Sequence, residues 1–251
     1  MNDSTEILVS AKKLRNKSIV AFIVFFIFII AAIFTWKWIH KQPQIAGEPE
    51  PLRKVLALNE TFFSTFLKDN HLAPTYPRSA AVKHVRVNGD IGLKSAFDTS
   101  TWTLKLVRSP GDTLLISLDD IKALPKTELV FNFKCIEGWS QITDWAGVKF
   151  SDFAAKYNLD AQTKMKYAGL VTPDKEYYVG IDMPSMMHPQ TLLCYEMNGK
   201  PLPLNQGFPL RLIIPVKYGI KHLKRLGTLF FSNERPPDYW YEQGYDYYSG
   251  L

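Results

Sequence analysis

Two cysteines in 251 residues leave little room for sulfur-based architecture. Cys135 and Cys194 lie far apart, with neither C-x-x-C nor C-x-x-C-H spacing. A zinc ribbon, a c-type haem and a scaffold stapled by several disulfides are therefore excluded. No internal period marks a solenoid or propeller. Adjacent arginines are missing too: Lys12-Lys13-Leu14-Arg15 stands where a twin-arginine export signal would need its pair. The chain also lacks a basic stripe. Its formal charge is +6, but several cations fall in the first 41 residues and the others are spread among acids. Nucleic acid is not an expected partner.

What is abundant is apolar sequence, 46% of residues against 22% charged, enough for the core of one or two domains. Residues 19–34 (IVAFIVFFIFIIAAIF) are uninterrupted apolar sequence, extended through Ile39. At about 1.5 Å rise per residue the run matches a hydrocarbon core of about 30 Å. Lys12, Lys13, Arg15 and Lys17 precede it; Lys37 and Lys41 follow, with Trp36 and Trp38 at the far interface. The positive-inside rule puts the N-terminus in the cytoplasm and the main domain outside. A cleaved signal peptide is the competing reading, but no small-x-small site follows the long run. The expected organisation is a cytoplasmic segment (1–18), a transmembrane helix (19–39), a Pro- and Glu-containing linker (40–52) and one domain (53–251).

Within that domain, residues 102–107, 114–118, 129–135, 210–216 and 226–231 read as strands. Asp119 or Asp120 caps a short helix before Pro125, Ser151 caps a segment at 152–157, and Pro189 with Asn198-Gly199 frames a helix at 190–197. Many short strands with few short helices indicate a mixed α+β domain. Leu129, Phe131, Phe133 and Cys135 share one strand face, with the thiol at its end.

An isolated cysteine on an apolar strand is ordinarily packing. Here it opens Cys135-Ile136-Glu137-Gly138-Trp139-Ser140, followed by Asp144-Trp145-Ala146-Gly147. Further on come Met187-His188-Pro189, the run from Tyr195 to Pro203 (YEMNGKPLP), Gly207-Phe208-Pro209-Leu210-Arg211-Leu212, Pro215-Val216-Lys217-Tyr218-Gly219 and Glu234-Arg235-Pro236-Pro237. This ordered set resembles the sulfite-oxidase-like molybdopterin-binding oxidoreductases, nearest the catalytic subunits of bacterial periplasmic methionine sulfoxide reductases. It covers about the last 150 residues well and 59–107 more loosely.

The resemblance implies a sulfite-oxidase-like molybdopterin-binding domain of mixed sheets and short helices, here preceded by one transmembrane helix. It implies a molybdenum–molybdopterin cofactor without a nucleotide, its metal bound by the Cys135 thiolate, a soft ligand for a thiophilic metal. Arg211 falls on the family's phosphate-contacting arginine, and His222, Leu223 and Lys224 on its basic loop. Thr172 matches a pterin-contacting threonine. Asn70-His71 resembles, at looser spacing, a pterin-wrapping segment, and Gln206 stands in place of a pterin-contacting asparagine. Lys217, Lys221 and Arg225 read equally as phosphate neighbours or as one solvated helical face. Cys194 reads as inert packing.

The implied activity is oxygen-atom transfer, reducing a small or protein-bound S-oxide or N-oxide such as methionine sulfoxide. Glu137 is the candidate proton donor and Trp139 a candidate pocket wall. Sulfite oxidation and a cofactor-free anchored module are the alternatives. A carboxylate beside the metal disfavours the sulfite anion, and Cys135 with Arg211 disfavours the module. With no haem motif, electrons are expected from a membrane-bound haem or quinol-linked donor. The inner-membrane location follows from the anchor. A monomer is expected because little sequence follows Pro237 to build a dimerisation domain.

Overall fold

The computed structural model describes residues 10–66, 71–95 and 98–250. The chain divides into two compact units, 1–54 and 55–251. In the first, α1 (Ala11–His40) is a 30-residue helix with no buried residue, N-capped by Ser10. It is long and apolar enough to cross a membrane, with a mean hydropathy of 3.0 over its most apolar window. The expected linker contains a small hairpin, β1 (Gln44–Ile45) and β2 (Glu48–Pro49). Ala46 and Gly47 both take positive φ between the strands, the geometry of a two-residue hairpin turn. The Arg53 side chain donates to the carbonyls of Ile45 and Ala46 and ties the turn down. Helix α2 (Glu50–Phe66) follows. The sequence reading took 40–52 as a linker and assigned no helix here.

The second unit is the mixed α+β domain that the sequence pattern indicates. One sheet has the order β10 (Lys200–Pro201), β9 (Leu192–Met197), β6 (Ser140–Lys149) and β5 (Lys126–Lys134), with β11 (Arg211–Ile213) also pairing with β9. The other has the order β4 (Asp112–Ile116), β3 (Leu104–Ser109), β12 (Thr228–Ser232), β7 (Tyr167–Val171) and β8 (Tyr178–Asp182). Its β12–β3 pair is parallel. The helices are short: α3 (Leu118–Lys122), α4 (Phe150–Lys156), α5 (Met183–Met186) and α6 (Tyr239–Glu242). A large core includes Leu104, Phe150, Leu170, Leu193, Leu212 and Leu229, while a smaller one holds Leu129, Phe131, Trp145, Cys194 and Ile213.

Three local expectations change. Residues 192–197 form strand β9 and not a helix. Leu192, Leu193, Cys194 and Tyr195 are all buried, and a strand buried on both faces loses the alternation that would reveal it. The cap of α3 is Ser117, which exchanges hydrogen bonds with Asp120 in a capping box. Helix α4 begins one residue before Ser151, with Lys149 at its cap position and no side-chain cap.

Candidate functional site

The β5–β6 hairpin is in register from Lys126↔Val148 to Lys134↔Ser140, so Cys135 falls on the first residue of its turn rather than inside the strand. The turn closes on itself: the Cys135 amide donates to the Trp139 carbonyl at 2.9 Å, and the Gly138 amide to the Cys135 carbonyl at 3.1 Å. The thiol is free and buried. It lines a cavity with about 900 Å³ of atom-free space, counted out to its open mouth.

The same cavity is lined by a buried cation. Arg211, carried in by β11, is 2% exposed. Its Nη1 donates to both the backbone and side-chain oxygens of Gln206 at 3.0 Å, and its Nη2 to the His222 carbonyl at 3.4 Å. The guanidinium lies 4.6 Å over the Trp145 ring. Among the described residues no carboxylate lies within ion-pair distance, and Nε has no hydrogen-bond partner. Burial pushes its pKa down to about 10, which leaves it charged at neutral pH. A buried charge without a counter-charge is costly, and an anion in the cavity would relieve that cost.

His222 and Lys224 share the wall. The Nε2 of His222 lies 3.2 Å from the Lys217 carbonyl, so this nitrogen carries the proton, and Nδ1 is left as a buried acceptor without a partner. Burial, then the nearby Arg211, pushes the ring's pKa down to about 3 and keeps it neutral. The Nζ of Lys224 donates to the carbonyls of Asn88 and Gly89 at 2.8 and 2.9 Å, and burial pushes its pKa down to about 7. Gln206, through Nε2, reaches the carbonyls of Val85 and Arg86. One amide therefore joins the guanidinium to the 85–89 segment.

Glu137 lies exposed at the cavity mouth. Hydrogen bonds from Asn88 and then Trp139 hold its carboxyl below the usual carboxylate range, so it stands ionised at neutral pH, the reverse of what a proton donor needs. Trp139 stacks on Phe133 with centroids 5.9 Å apart, and the Arg86 guanidinium lies 4.8 Å over its ring.

Not every expected residue joins this site. Asn70 lies outside the described residues. His71 is exposed, and its carbonyl meets His188 Nε2 at 3.1 Å; it does not line the cavity. Thr172 is buried elsewhere, its hydroxyl donating to Asp174 at 2.6 Å and accepting from the Tyr177 amide at 3.1 Å. Leu223 is core, and its amide is taken by the Lys221 carbonyl. The solvated face expected of Lys217, Lys221 and Arg225 does not exist: all three are buried. Lys217 pairs with Asp182 at 2.7 Å and Lys221 with Asp238. The stretch from 217 to 225 holds only a 3-10 turn at 219–221, which includes Lys221, so helical spacing did not apply.

The sequence reading missed Asn88, whose Nδ2 lies 3.7 Å from the Cys135 sulfur. Its only local signal was the turn-forming pair Asn88-Gly89. It also missed the apolar wall formed by Tyr177, Ile220, Trp240 and Tyr245, which comes from segments far from Cys135.

The family described as oxidoreductase molybdopterin binding domain matches residues 91–240. The chain is 36% identical over 184 residues to an Azospira oryzae protein named putative protein-methionine-sulfoxide reductase subunit YedZ1, covering 72% of this chain and 69% of that one. It is 31% identical over 159 residues to MsrP, a protein-methionine-sulfoxide reductase catalytic subunit of Xanthomonas axonopodis pv. citri. That match covers 57% of this chain and 48% of the relative, so the chain spans about half of MsrP's length. A crystal structure of the sulfane dehydrogenase SoxCD from Paracoccus pantotrophus is similar with a TM-score of 0.49 and 17% identity, covering 66% of this chain and 46% of the other.

Proposed function

Because the chain belongs to the oxidoreductases with a molybdopterin-binding domain, we propose that it is a molybdenum-cofactor enzyme that reduces sulfoxides, with methionine sulfoxide in proteins as its substrate class. The observation that carries this reading is a buried, charged guanidinium with no carboxylate partner among the described residues, sharing one cavity with a buried thiol. A nucleotide-free molybdopterin ends in a phosphate dianion and presents a soft metal. Arg211 suits the first through charge-assisted hydrogen bonds, and the Cys135 thiolate suits the second. The Nδ1 acceptor of His222 is free for a pterin N–H. Lys224 holds the 88–89 segment beside them.

When bound, the cofactor supplies two-electron oxygen-atom exchange. The chain's residues bind, orient and exclude. The amide of Asn88 reaches both the Cys135 sulfur and the Glu137 carboxylate, which fixes the sulfur's direction. Ile136, Trp139 and Trp240 give the mouth an apolar lining that fits a neutral thioether-derived side chain and displaces water. Electrons would come from a membrane-bound haem or quinol-linked donor. The domain would lie on the periplasmic face of the inner membrane, held by α1.

The test uses the full chain purified from cells that make molybdopterin. Metal and pterin analysis is followed by two assays, reduced viologen with methionine sulfoxide and sulfite with ferricyanide. Oxidation of viologen by the sulfoxide is expected, falling to background in Cys135→Ala. Sulfite turnover with the sulfoxide untouched would overturn the substrate assignment. A chain carrying neither molybdenum nor pterin would favour the cofactor-free module.

A further inference from the structure

Helix α2 turns its apolar side outward. Val55, Leu58, Phe62 and Phe66 are 61%, 64%, 59% and 54% exposed, and their spacing of three and four residues puts them on one face. The opposite side packs on the catalytic domain. Glu60 accepts from the Tyr167 hydroxyl at 2.7 Å and pairs with Arg235. Phe63 stacks on Tyr248 with centroids 6.0 Å apart and planes 7° apart. A surface helix of a water-soluble domain shows the reverse order, apolar residues inward and polar residues out. A contiguous stripe of large exposed apolar side chains marks an interaction surface. The helix lies outside residues 91–240, so the family match does not explain it.

We propose that this stripe rests in the interfacial layer of the membrane entered by α1, as a second apolar contact lying in the bilayer plane. It rests on the reading of α1 as a membrane span and not on the identity of the substrate. The tether selects the occupant. Residues 41–49 separate α1 from α2, and a chain of that length reaches roughly 30 Å at full extension. The β1–β2 hairpin within it shortens that reach. Helix α2 therefore cannot leave the neighbourhood of the bilayer, whereas a soluble partner or second copy must find the stripe by diffusion. Composition fits as well: valine, leucine and phenylalanine on one exposed face suit an interfacial helix.

The experiment places a nitroxide on the full chain through Leu58→Cys or Phe62→Cys, with Asp119→Cys as a domain-surface reference and Ile27→Cys as a reference within α1. Cys135 and Cys194 are buried, and labelling of the parent chain measures their background. The protein is reconstituted in phosphatidylethanolamine–phosphatidylglycerol vesicles, and collisions with oxygen and with a water-soluble nickel chelate are read from the spectrum. The expected result is an oxygen-to-nickel ratio at 58 and 62 several-fold above that at 119. Nickel access at 58 and 62 equal to that at 119 would overturn the proposal. So would exclusion of both reagents, which marks a protein cover; spin–spin broadening would then identify that cover as a second copy. Nickel access at 27 would remove the membrane span, and the proposal with it, while leaving the sulfoxide assignment standing.

Discussion

Arg211 and Lys217 are two cations buried in one domain, and their surroundings give them different tasks. Lys217 already has its counter-charge in Asp182, whose carboxyl stays below its ordinary range because Lys217 and Ser185 outweigh burial. Removing the lysine leaves a buried carboxylate alone. Lys217→Ala should lose about 3–5 kcal/mol of stability, measured by denaturant unfolding. Among the described residues the hydrogen-bond partners of Arg211 are all neutral oxygens, with a ring below it, so Arg211→Ala removes a charge that costs the cofactor-free fold more than it stabilises. That variant should stay folded and lose pterin, assayed by fluorescence of the released cofactor. Equal pterin content in Arg211→Ala and the parent would move the phosphate elsewhere. His222 adds a pH dependence. Its folded pKa is depressed from 6.5 to about 3, so the unfolded chain binds a proton in that window that the fold does not. The stability contributed is present above 6.5 and lost as pH falls toward 3, at up to about 1.4 kcal/mol per unit. In the cofactor-free chain, urea midpoints should decline with acid more steeply than those of His222→Asn.

At the scale of elements, the hairpin that carries Cys135 depends on two glycines with different needs. Gly147 lies at the register shift where β6 pairs with β9, and a Cβ there would sit 2.1 Å from the Leu193 carbonyl oxygen and 2.6 Å from the Cys194 Cα. Backbone cannot yield as a side chain does. Gly147→Ala should therefore cost about 4–5 kcal/mol. Gly138 sits in the cysteine turn at φ +86° with nothing within 4 Å of an added Cβ, so Gly138→Ala should cost only about 1–2 kcal/mol, through backbone conformation. Denaturation of the two variants side by side checks the contrast. The same elements show what a sequence can carry. Strand β5 was legible from its alternating apolar residues, and an ordered run of motifs singled out Cys135, Arg211 and Lys224, which line one cavity. Strand β9 was not, because Leu192–Tyr195 is apolar on both faces and its flanking Pro189 and Asn198-Gly199 also punctuate helices. Asn88 and Trp240 reach the cavity by tertiary approach, which no local spacing records. Thr172 shows the converse: its motif was legible, but its hydroxyl is spent on Asp174 and Tyr177.

For the molecule as a whole, the arrangement of charge about α1 carries the proposal that the domain lies on the periplasmic side of a membrane. Lys12, Lys13, Arg15 and Lys17 lie in the first two turns of the helix, with no acidic residue in its first turn. Cations at a helix N-terminus oppose the macrodipole, at about 0.3–1 kcal/mol each, so helix stability does not explain them. The proposed orientation would: residues that remain on the cytoplasmic side are enriched in lysine and arginine. On the far side Lys37 and Lys41 lie at the end of the span, and Arg53 and Lys54 follow more than ten residues beyond it. A phosphatase that is active only after export, fused behind Leu251, should therefore be active. Neutralising the four N-terminal cations while adding lysines at 48 and 50 should lower that activity and raise that of a cytoplasmic reporter at the same position. A fusion active only in the cytoplasm would reverse the topology. It would also place the α2 stripe and the Cys135 cavity on the inner face. Repeating the phosphatase measurement without the twin-arginine translocase then separates two routes. Undiminished activity means that the domain crosses unfolded and takes up its cofactor outside. Loss of activity means that Lys12-Lys13-Leu14-Arg15 serves as the export signal despite lacking adjacent arginines.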